Sequence, residues 1–258
     1  MAEIHFLGTG GSVTTPQRDN TSVLLRTGSE LILIDCPGSV AAKIRKLGFE
    51  PGQITTVILT HIHPDHIYGL PSLVHSQMLI AGEIRVMGSE ATVAFSRRLL
   101  DLFGLRRRKI RTRVRFRVLR PGQTVRLEGP CSVRTLPVPH HHSSLACHFY
   151  LEGEGREILF SGDTPVHEPL FADARGVDCL VHDASAPSRY FRRYPALSRL
   201  HTSFLALGRW SQEAGVRCLV PCHFLAEASC SAVEVRREIR RHFKGRLIVP
   251  RDLQSIRL

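Results

Sequence analysis

Residues 60–70 read Thr-His-Ile-His-Pro-Asp-His-Ile-Tyr-Gly-Leu, placing three histidines (His61, His63, His66) and one carboxylate (Asp65) within six positions. Imidazole nitrogens and carboxylate oxygens are the donors that suit zinc and its first-row neighbours. The run follows the apolar segment Val57-Ile58-Leu59, so it begins where a strand should end. In extended backbone, side chains two apart point the same way, which lets His61 and His63 share one cation. Asp65 and His66 then stand where the chain turns into a helix and can reach a second.

More donors occur at the ends of other apolar segments. His140-His141-His142 follow a strand expected over 133–138, Asp163 follows one over 157–160, and His223 follows one over 216–220. Asp35 closes the run Leu31-Ile32-Leu33-Ile34 in the same way. A single strand-end aspartate is ordinarily a turn residue and a lone histidine a surface group. Together with the dense run, these positions supply enough donors for two cations bridged by one carboxylate.

The elements that must hold these ends in register read as short strands separated by turns. Strands are expected at 4–8, 22–27 and 30–35, with Gly28-Ser29 as a hairpin turn, then at 53–60, 114–119, 124–128, 131–137, 147–152, 156–161, 178–182 and 216–221. Helical periodicity covers 39–48, 69–78, 89–104, 201–214 and 231–243, with Gly48 and Gly104 as stops. Such alternation implies an α/β (α+β) architecture of sheets covered by helices on their outer faces. No linker, repeat or low-complexity tract interrupts the chain, so residues 1–258 are expected to form a single domain.

At 258 residues and 43% hydrophobic content the chain can bury one large core. No apolar run is long enough to span a membrane, and the N-terminus lacks the pattern of a signal peptide. Seven cysteines are scattered without a Cys-x-x-Cys pair, which points to free thiols in a reducing cytoplasm. The net charge of +12 favours a polyanionic partner. That excess is local: Arg97, Arg98, Arg106, Arg107, Arg108, Lys109, Arg111, Arg113, Arg115, Arg117 and Arg120 crowd one stretch, and a second cluster lies at 236–246.

In order and spacing, the motifs resemble those of metallo-β-lactamase superfamily hydrolases, in particular the branch around ribonuclease Z and related phosphodiesterases. The resemblance is carried by Phe6-Leu7-Gly8-Thr9-Gly10-Gly11-Ser12 with Pro16 and Arg18, then by Thr60-His61-Ile62-His63-Pro64-Asp65-His66. Downstream it rests on Ser161-Gly162-Asp163-Thr164, His182-Asp183-Ala184-Ser185, His201-Thr202-Ser203 with Ala206, and Cys222-His223-Phe224. In the fourth motif aspartate stands where the branch has glutamate. The similarity runs from about residue 4 to 225.

That resemblance implies a four-layer αββα sandwich and two divalent metal ions, zinc with manganese as the alternative. One ion would be held by His61, His63 and a histidine of the 140–142 cluster, the other by Asp65, His66 and His223, with Asp163 bridging. Counting forward through Leu136-Pro137-Val138-Pro139 puts the third ligand of the first ion at His140, and counting back from Asp163 puts it at His142. Asp35 resembles a buried aspartate that orients ligand histidines from behind. Asp65, His201 and Asp183 are the residues expected to carry the chemistry. His201 would protonate the leaving alkoxide, polarised by Asp183 or His182, after attack by a hydroxide shared between the cations.

The expected activity is hydrolysis of a nucleotide or small phosphodiester, with ribonuclease Z-like cleavage of RNA as the alternative. Ribonuclease Z enzymes insert a long arm between the ligand histidine that corresponds to the 140–142 cluster and the bridging aspartate. Here about twenty residues separate His142 from Asp163, enough for a hairpin and no arm. The arginine-rich stretch 97–120 offers a substitute surface for a phosphate backbone. Acyl or lactam hydrolysis would call for an exported chain. A purely nucleic-acid-binding role leaves a full ligand set and His201 unused. No membrane partner is expected, and a homodimer is left open.

Overall fold

The fold is described from a computed structural model covering residues 2–28, 30–107 and 110–258. The Ser29 half of the expected hairpin turn, and Arg108 and Lys109 of the basic stretch, lie outside the described residues.

Fourteen strands build two seven-stranded sheets among the described residues. The first sheet contains β1 (Glu3–Gly8), β2 (Ser22–Thr27), β3 (Glu30–Ile34), β4 (Ile54–Ile58), β5 (Gly82–Gly88), β6 (Thr112–Val118) and the C-terminal β14 (Gln254–Arg257), in the order β14-β1-β2-β3-β4-β5-β6. The second contains β7 (Thr124–Arg126), β8 (Cys131–Pro137), β9 (Leu145–Leu151), β10 (Arg156–Phe160), β11 (Cys179–Asp183), β12 (Cys218–Cys222) and β13 (Arg246–Leu247), in descending order from β13 to β7. Each sheet is half antiparallel and half parallel: β3 to β6 run parallel in the first, and β10 to β13 in the second.

Parallel strands are buried on both faces, and their sequences show it: Glu30-Leu-Ile-Leu-Ile and Cys179-Leu-Val-His-Asp are buried at every position. In β12 (Cys218-Leu-Val-Pro-Cys) an interior proline would cost a ladder hydrogen bond. Pro221 sits opposite His182 of β11, beyond the two positions where β13 pairs, so that bond is not needed.

Side chains from both sheets, among them Phe6, Ile32, Ile58, Phe149, Phe160 and Val220, interdigitate in the central core. The outer face of the first sheet is covered by α1 (Val40–Lys46), α3 (Leu70–Ser76) and α4 (Glu90–Leu102) through residues such as Ile44, Leu73 and Leu100. The second is covered by α5 (Glu168–Asp173), α7 (Phe204–Glu213) and α8 (Ala232–Ile239), through Phe171, Leu207 and Ile239. The short helices α2 (Pro64–Ile67) and α6 (Ser188–Arg193) lie in connecting segments. Helix, sheet, sheet, helix is the expected four-layer αββα sandwich. No helix is long and apolar enough to cross a membrane among the described residues.

Most expected elements appear within a few residues of their ranges. The segment 82–88 is a strand that the pattern reading lacks, because Gly-Glu-Ile-Arg-Val-Met-Gly opens with exposed, polar positions. The helix expected over 201–214 starts only at Phe204, where Ser203 caps it by accepting from the Ala206 amide. His201 is therefore on the connecting segment rather than on the helix. The segment between His142 and Asp163 folds as the tight hairpin β9–β10.

Phe149 is fully buried between the sheets, edge-on to Phe160 at 5.5 Å between ring centroids. Truncation to alanine should cost about 3–5 kcal/mol in urea unfolding; a loss below about 1 kcal/mol would mean the two sheets do not share this core.

Candidate metal centre

The polar side chains collect along one edge of the sandwich, at the carboxyl ends of the parallel strands, where open α/β sheets place their ligands. Asp35 follows β3, His61 to His66 follow β4, Asp163 follows β10, Asp183 ends β11 and His223 follows β12. Three of these ends leave the strand through a left-handed residue: Asp35 (φ 59°), Gly162 (φ 57°) and His223 (φ 63°). For Asp35 and His223 this conformation is uncommon and costs energy, the kind of strain that collects at functional sites. At Gly162 a side chain would also crowd Thr60, since a Cβ there would lie 3.1 Å from the Thr60 Cβ.

One carboxylate oxygen is the hub. Asp163 Oδ2 lies 3.0 Å from His223 Nε2, 3.4 Å from His66 Nε2, 3.8 Å from His140 Nε2 and 4.0 Å from His61 Nε2. Two donor groups converge on it. His61, His63 and His140 form one, with His140 Nε2 3.1 Å from His63 Nδ1. Asp65, His66, Asp163 and His223 form the other, with Asp65 Oδ2 3.4 and 3.5 Å from His66 Nε2 and His223 Nε2.

The opposite ring nitrogens of His61, His66, His140 and His223 are tied to the scaffold, which aims their Nε2 atoms inward. His66 Nδ1 lies 2.8 Å from Asp35 Oδ2, and His61 Nδ1 lies 3.0 Å from Thr60 Oγ1, whose hydroxyl also donates to Asp35. The Thr60 amide donates to Asp35 as well, at 2.7 Å. His140 Nδ1 lies 2.8 Å from the Leu200 carbonyl, and His223 Nδ1 lies 3.3 Å from Ser185 Oγ. The glycine-rich opening loop supports His223 from the other side. Thr21 Oγ1 accepts from the His223 amide, Phe224 O accepts from the Gly11 amide, and the Arg18 guanidinium sits 4.2 Å over the Phe224 ring.

The nitrogens left over identify what the cluster can hold. His61 Nε2, His66 Nε2 and His223 Nε2 are buried with no hydrogen-bond partner. Unpaired buried polar atoms are costly, and three aimed at one carboxylate match the need of a cation. The electrostatics agree. Burial alone would push the Asp163 carboxyl up, yet the His223 and His66 charges override it and hold it well below the usual range. Burial disfavours charge on His223, but Asp163 and Asp65 raise its pKa to about 10; His66 is raised in the same way by Asp163 and Asp35. His61 shifts the other way, held well below its ordinary value by burial and by His66.

A second unit adjoins the first. Asp183 Oδ2 lies 2.8 Å from His201 Nδ1 and accepts from the Thr164 amide, and its Oδ1 accepts from Ser185 Oγ at 2.6 Å. His201 then faces the hub, grouped with His140 and Asp163. His182, the other residue considered for polarising His201, is turned away. Its Nδ1 bonds to the Asp183 carbonyl at 2.7 Å and its ring stacks on Phe171.

Of the expected residues, His142 is the one not brought to the cluster. A turn closed by the Ser144 amide on the His141 carbonyl reverses the chain, so His140 points inward while His142 stays exposed and packs on His141, 3.9 Å between ring centroids. Two contributors went unforeseen: the Thr60 hydroxyl behind His61, and Ser185, which links Asp183 to His223. Both lie next to candidate site residues, Thr60 beside His61 and Ser185 two positions after Asp183, and a hydroxyl at such a position is the signal the sequence carries.

Comparison with known proteins places this geometry in context. The sequence profile of the metallo-beta-lactamase superfamily matches residues 15–198. A ribonuclease Z of Mycobacterium bovis (BCG, Pasteur strain) is 25% identical over 277 positions, covering 99% of this chain and 98% of that one. Among solved structures, the metallo-beta-lactamase fold protein YhfI from Bacillus subtilis superposes with a TM-score of 0.82 at 19% identity, covering 99% and 98% of the two chains. The short form of human tRNase Z gives 0.80 at 20% identity with the same coverage. A diphosphatase of the PhnP family gives 0.73 at 16% identity, covering 100% and 98%.

The arrangement predicts two zinc ions per chain by elemental analysis after reconstitution. His140→Ala should lower that count toward one, and His142→Ala should leave it at two; the reverse pattern would place the third ligand of the first ion at His142.

Proposed function

The chain belongs to the metallo-beta-lactamase superfamily and is a metal-dependent hydrolase, and from that premise we propose that it cleaves phosphodiesters of the nucleotide type. His61, His63 and His140 would hold one divalent cation and Asp65, His66 and His223 a second, with Asp163 between them. When bound, such cations supply charge neutralisation at phosphate oxygens and a water acidic enough to be deprotonated near neutral pH. Zinc suits the nitrogen-rich first set, and manganese is the alternative for the more oxygen-rich second.

The observation that carries the reading is the Asp183–His201 pair beside the hub. Cleavage of a phosphodiester expels an alkoxide, a poor leaving group unless a proton reaches it in the transition state. Asp183 accepts from His201 Nδ1, which fixes the ring and leaves Nε2 facing the cluster as the candidate donor. The Thr164 amide and the Ser185 hydroxyl hold Asp183 in place. Because Ser185 also touches His223, one carboxylate positions both the proton donor and a residue of the second donor set. The ring of His201 stacks on that of His223 at 5.1 Å and packs near His140 at 5.0 Å, so it cannot swing freely.

Ribonuclease Z-like cleavage of RNA is the second reading, and the full-length likeness to a ribonuclease Z favours it. The tight β9–β10 hairpin stands where an arm would be inserted, so an RNA would need a different surface to hold it.

Hydrolysis of bis(p-nitrophenyl) phosphate by the zinc- or manganese-loaded chain tests the reaction class, and Asp163→Ala should reduce it to background. For His201→Ala, turnover should fall by about 10²–10⁴ on a diester with an alkyl leaving group. It should fall much less on the p-nitrophenyl diester, whose phenolate leaves without help. Equal losses on both would show that His201 is not the proton donor.

A further inference from the structure

The arginine-rich segment takes a specific place in the fold. Strand β6 is the edge of the first sheet, and Arg113, Arg115 and Arg117 alternate along it, all exposed. Their register partners show which face they occupy. Arg117 lies opposite Met87 of β5, and Met87 is buried in the core between the sheets. The sandwich therefore closes over β5, and the same face of β6 projects beyond it as an open ledge.

Several features make this ledge more than a charged edge. Residues two apart on a strand are separated by about 6.6 Å, comparable with successive phosphates along one nucleic-acid strand. Among the described residues, Arg113 and Arg117 make no ion pair, and Arg115 meets one acid, Glu83, at 3.0 Å. On the other face of the strand, which α4 covers, the guanidinium of Arg97 stacks 4.7 Å over the Phe116 ring and that of Arg106 lies 5.5 Å over it, so two more cations flank the edge from the helix side. A groove of about 370 Å³ runs along this edge, lined by Arg106, Arg107, Arg113 and Arg115 over Leu105 and Val114. Charged edges do guard sheets against pairing with other sheets, but that role does not require a groove beside the arginine ladder.

The ledge also leads to the cluster. β4, β5 and β6 run parallel, and their carboxyl ends are tied side by side, the Leu59 amide donating to Met87 O and the Leu119 amide to Gly88 O. At the usual spacing of about 4.8 Å per strand, the end of the arginine ladder lies about 10 Å across the sheet from the residues that enter the His61 run. The second basic cluster, at 236–246, has no such alignment: Arg237 pairs with Glu234, and Arg240 is tied to the carbonyls of Phe243 and Gly245.

We propose that the exposed face of β6 is the docking surface for the phosphate backbone of an RNA strand whose scissile bond lies in the cluster. This rests on the phosphodiester reading in its second, RNA-cleaving form for its orientation, and the binding itself can be measured separately. The probe is a fluorescein-labelled single-stranded RNA of about twenty nucleotides, followed by anisotropy against the Asp163→Asn chain at several salt concentrations. The combined variant Arg113→Gln, Arg115→Gln and Arg117→Gln, made in that background, should weaken binding at least tenfold. It should also reduce the salt slope by about 2, since each single-strand phosphate contact contributes about 0.7. The combined variant Arg236→Gln, Arg237→Gln and Arg241→Gln removes the same charge elsewhere and should leave the slope unchanged. Thermal melting of each variant establishes that it is folded. The proposal is overturned if the parent chain does not bind the RNA, if the ladder variant binds as the parent does, or if both variants lose affinity equally. Failure of the phosphodiester reading is separate: no chain would then hydrolyse bis(p-nitrophenyl) phosphate, whatever the binding data show.

Discussion

A buried carboxylate with one oxygen within 4.0 Å of four imidazole nitrogens is the constraint around which the site is arranged. Asp163 is only 3% exposed, and an isolated charge at that depth would be prohibitively unfavourable. The histidines around it are themselves buried, and several of their inward nitrogens have no other partner. Groups with these needs are stable together only when positive charge sits among them. Protons on His66 and His223 meet that need in part, and divalent cations would meet it more completely.

The scaffold enforces this convergence at the ends of strands from both sheets. Buried apolar residues on both faces of β3, β4, β11 and β12 lock their register. Left-handed residues then turn the chain sharply enough that Asp35, Asp163 and His223 meet at one edge. Behind them stands a second layer of oxygen atoms, from Asp35, Thr60, Asp183, Ser185 and the Leu200 carbonyl, each fixing one ring nitrogen. Outer contacts of this kind set tautomer and ring direction, and so decide which nitrogen faces a cation. The two aspartates have separate roles: Asp35 holds the first-sheet histidines, and Asp183 holds His201 and, through Ser185, His223.

Much of this was legible in the sequence, for a physical reason. A strand buried on both faces leaves little choice of composition, and a histidine or aspartate directly after such a run has few structural roles, so His61, Asp163 and His223 stood out. Elements with exposed faces were harder to see. β5 begins with exposed polar residues that hide its period, and the helix that starts at Phe204 follows Thr202 and Ser203, either of which could cap it, so its first residue is not marked in the sequence. The choice between His140 and His142 turned on a reversal of the chain at 141–144, which spacing alone does not encode. The hydroxyls of Thr60 and Ser185 act through tertiary contacts, and no local pattern marks them.

Anomalous X-ray diffraction from crystals of the zinc-loaded chain would locate the cations around Asp163. Two peaks are expected, one among His61, His63 and His140 and the other among Asp65, His66 and His223, with the Asp163 carboxylate between them. A single peak, or a peak held by His142, would contradict this arrangement.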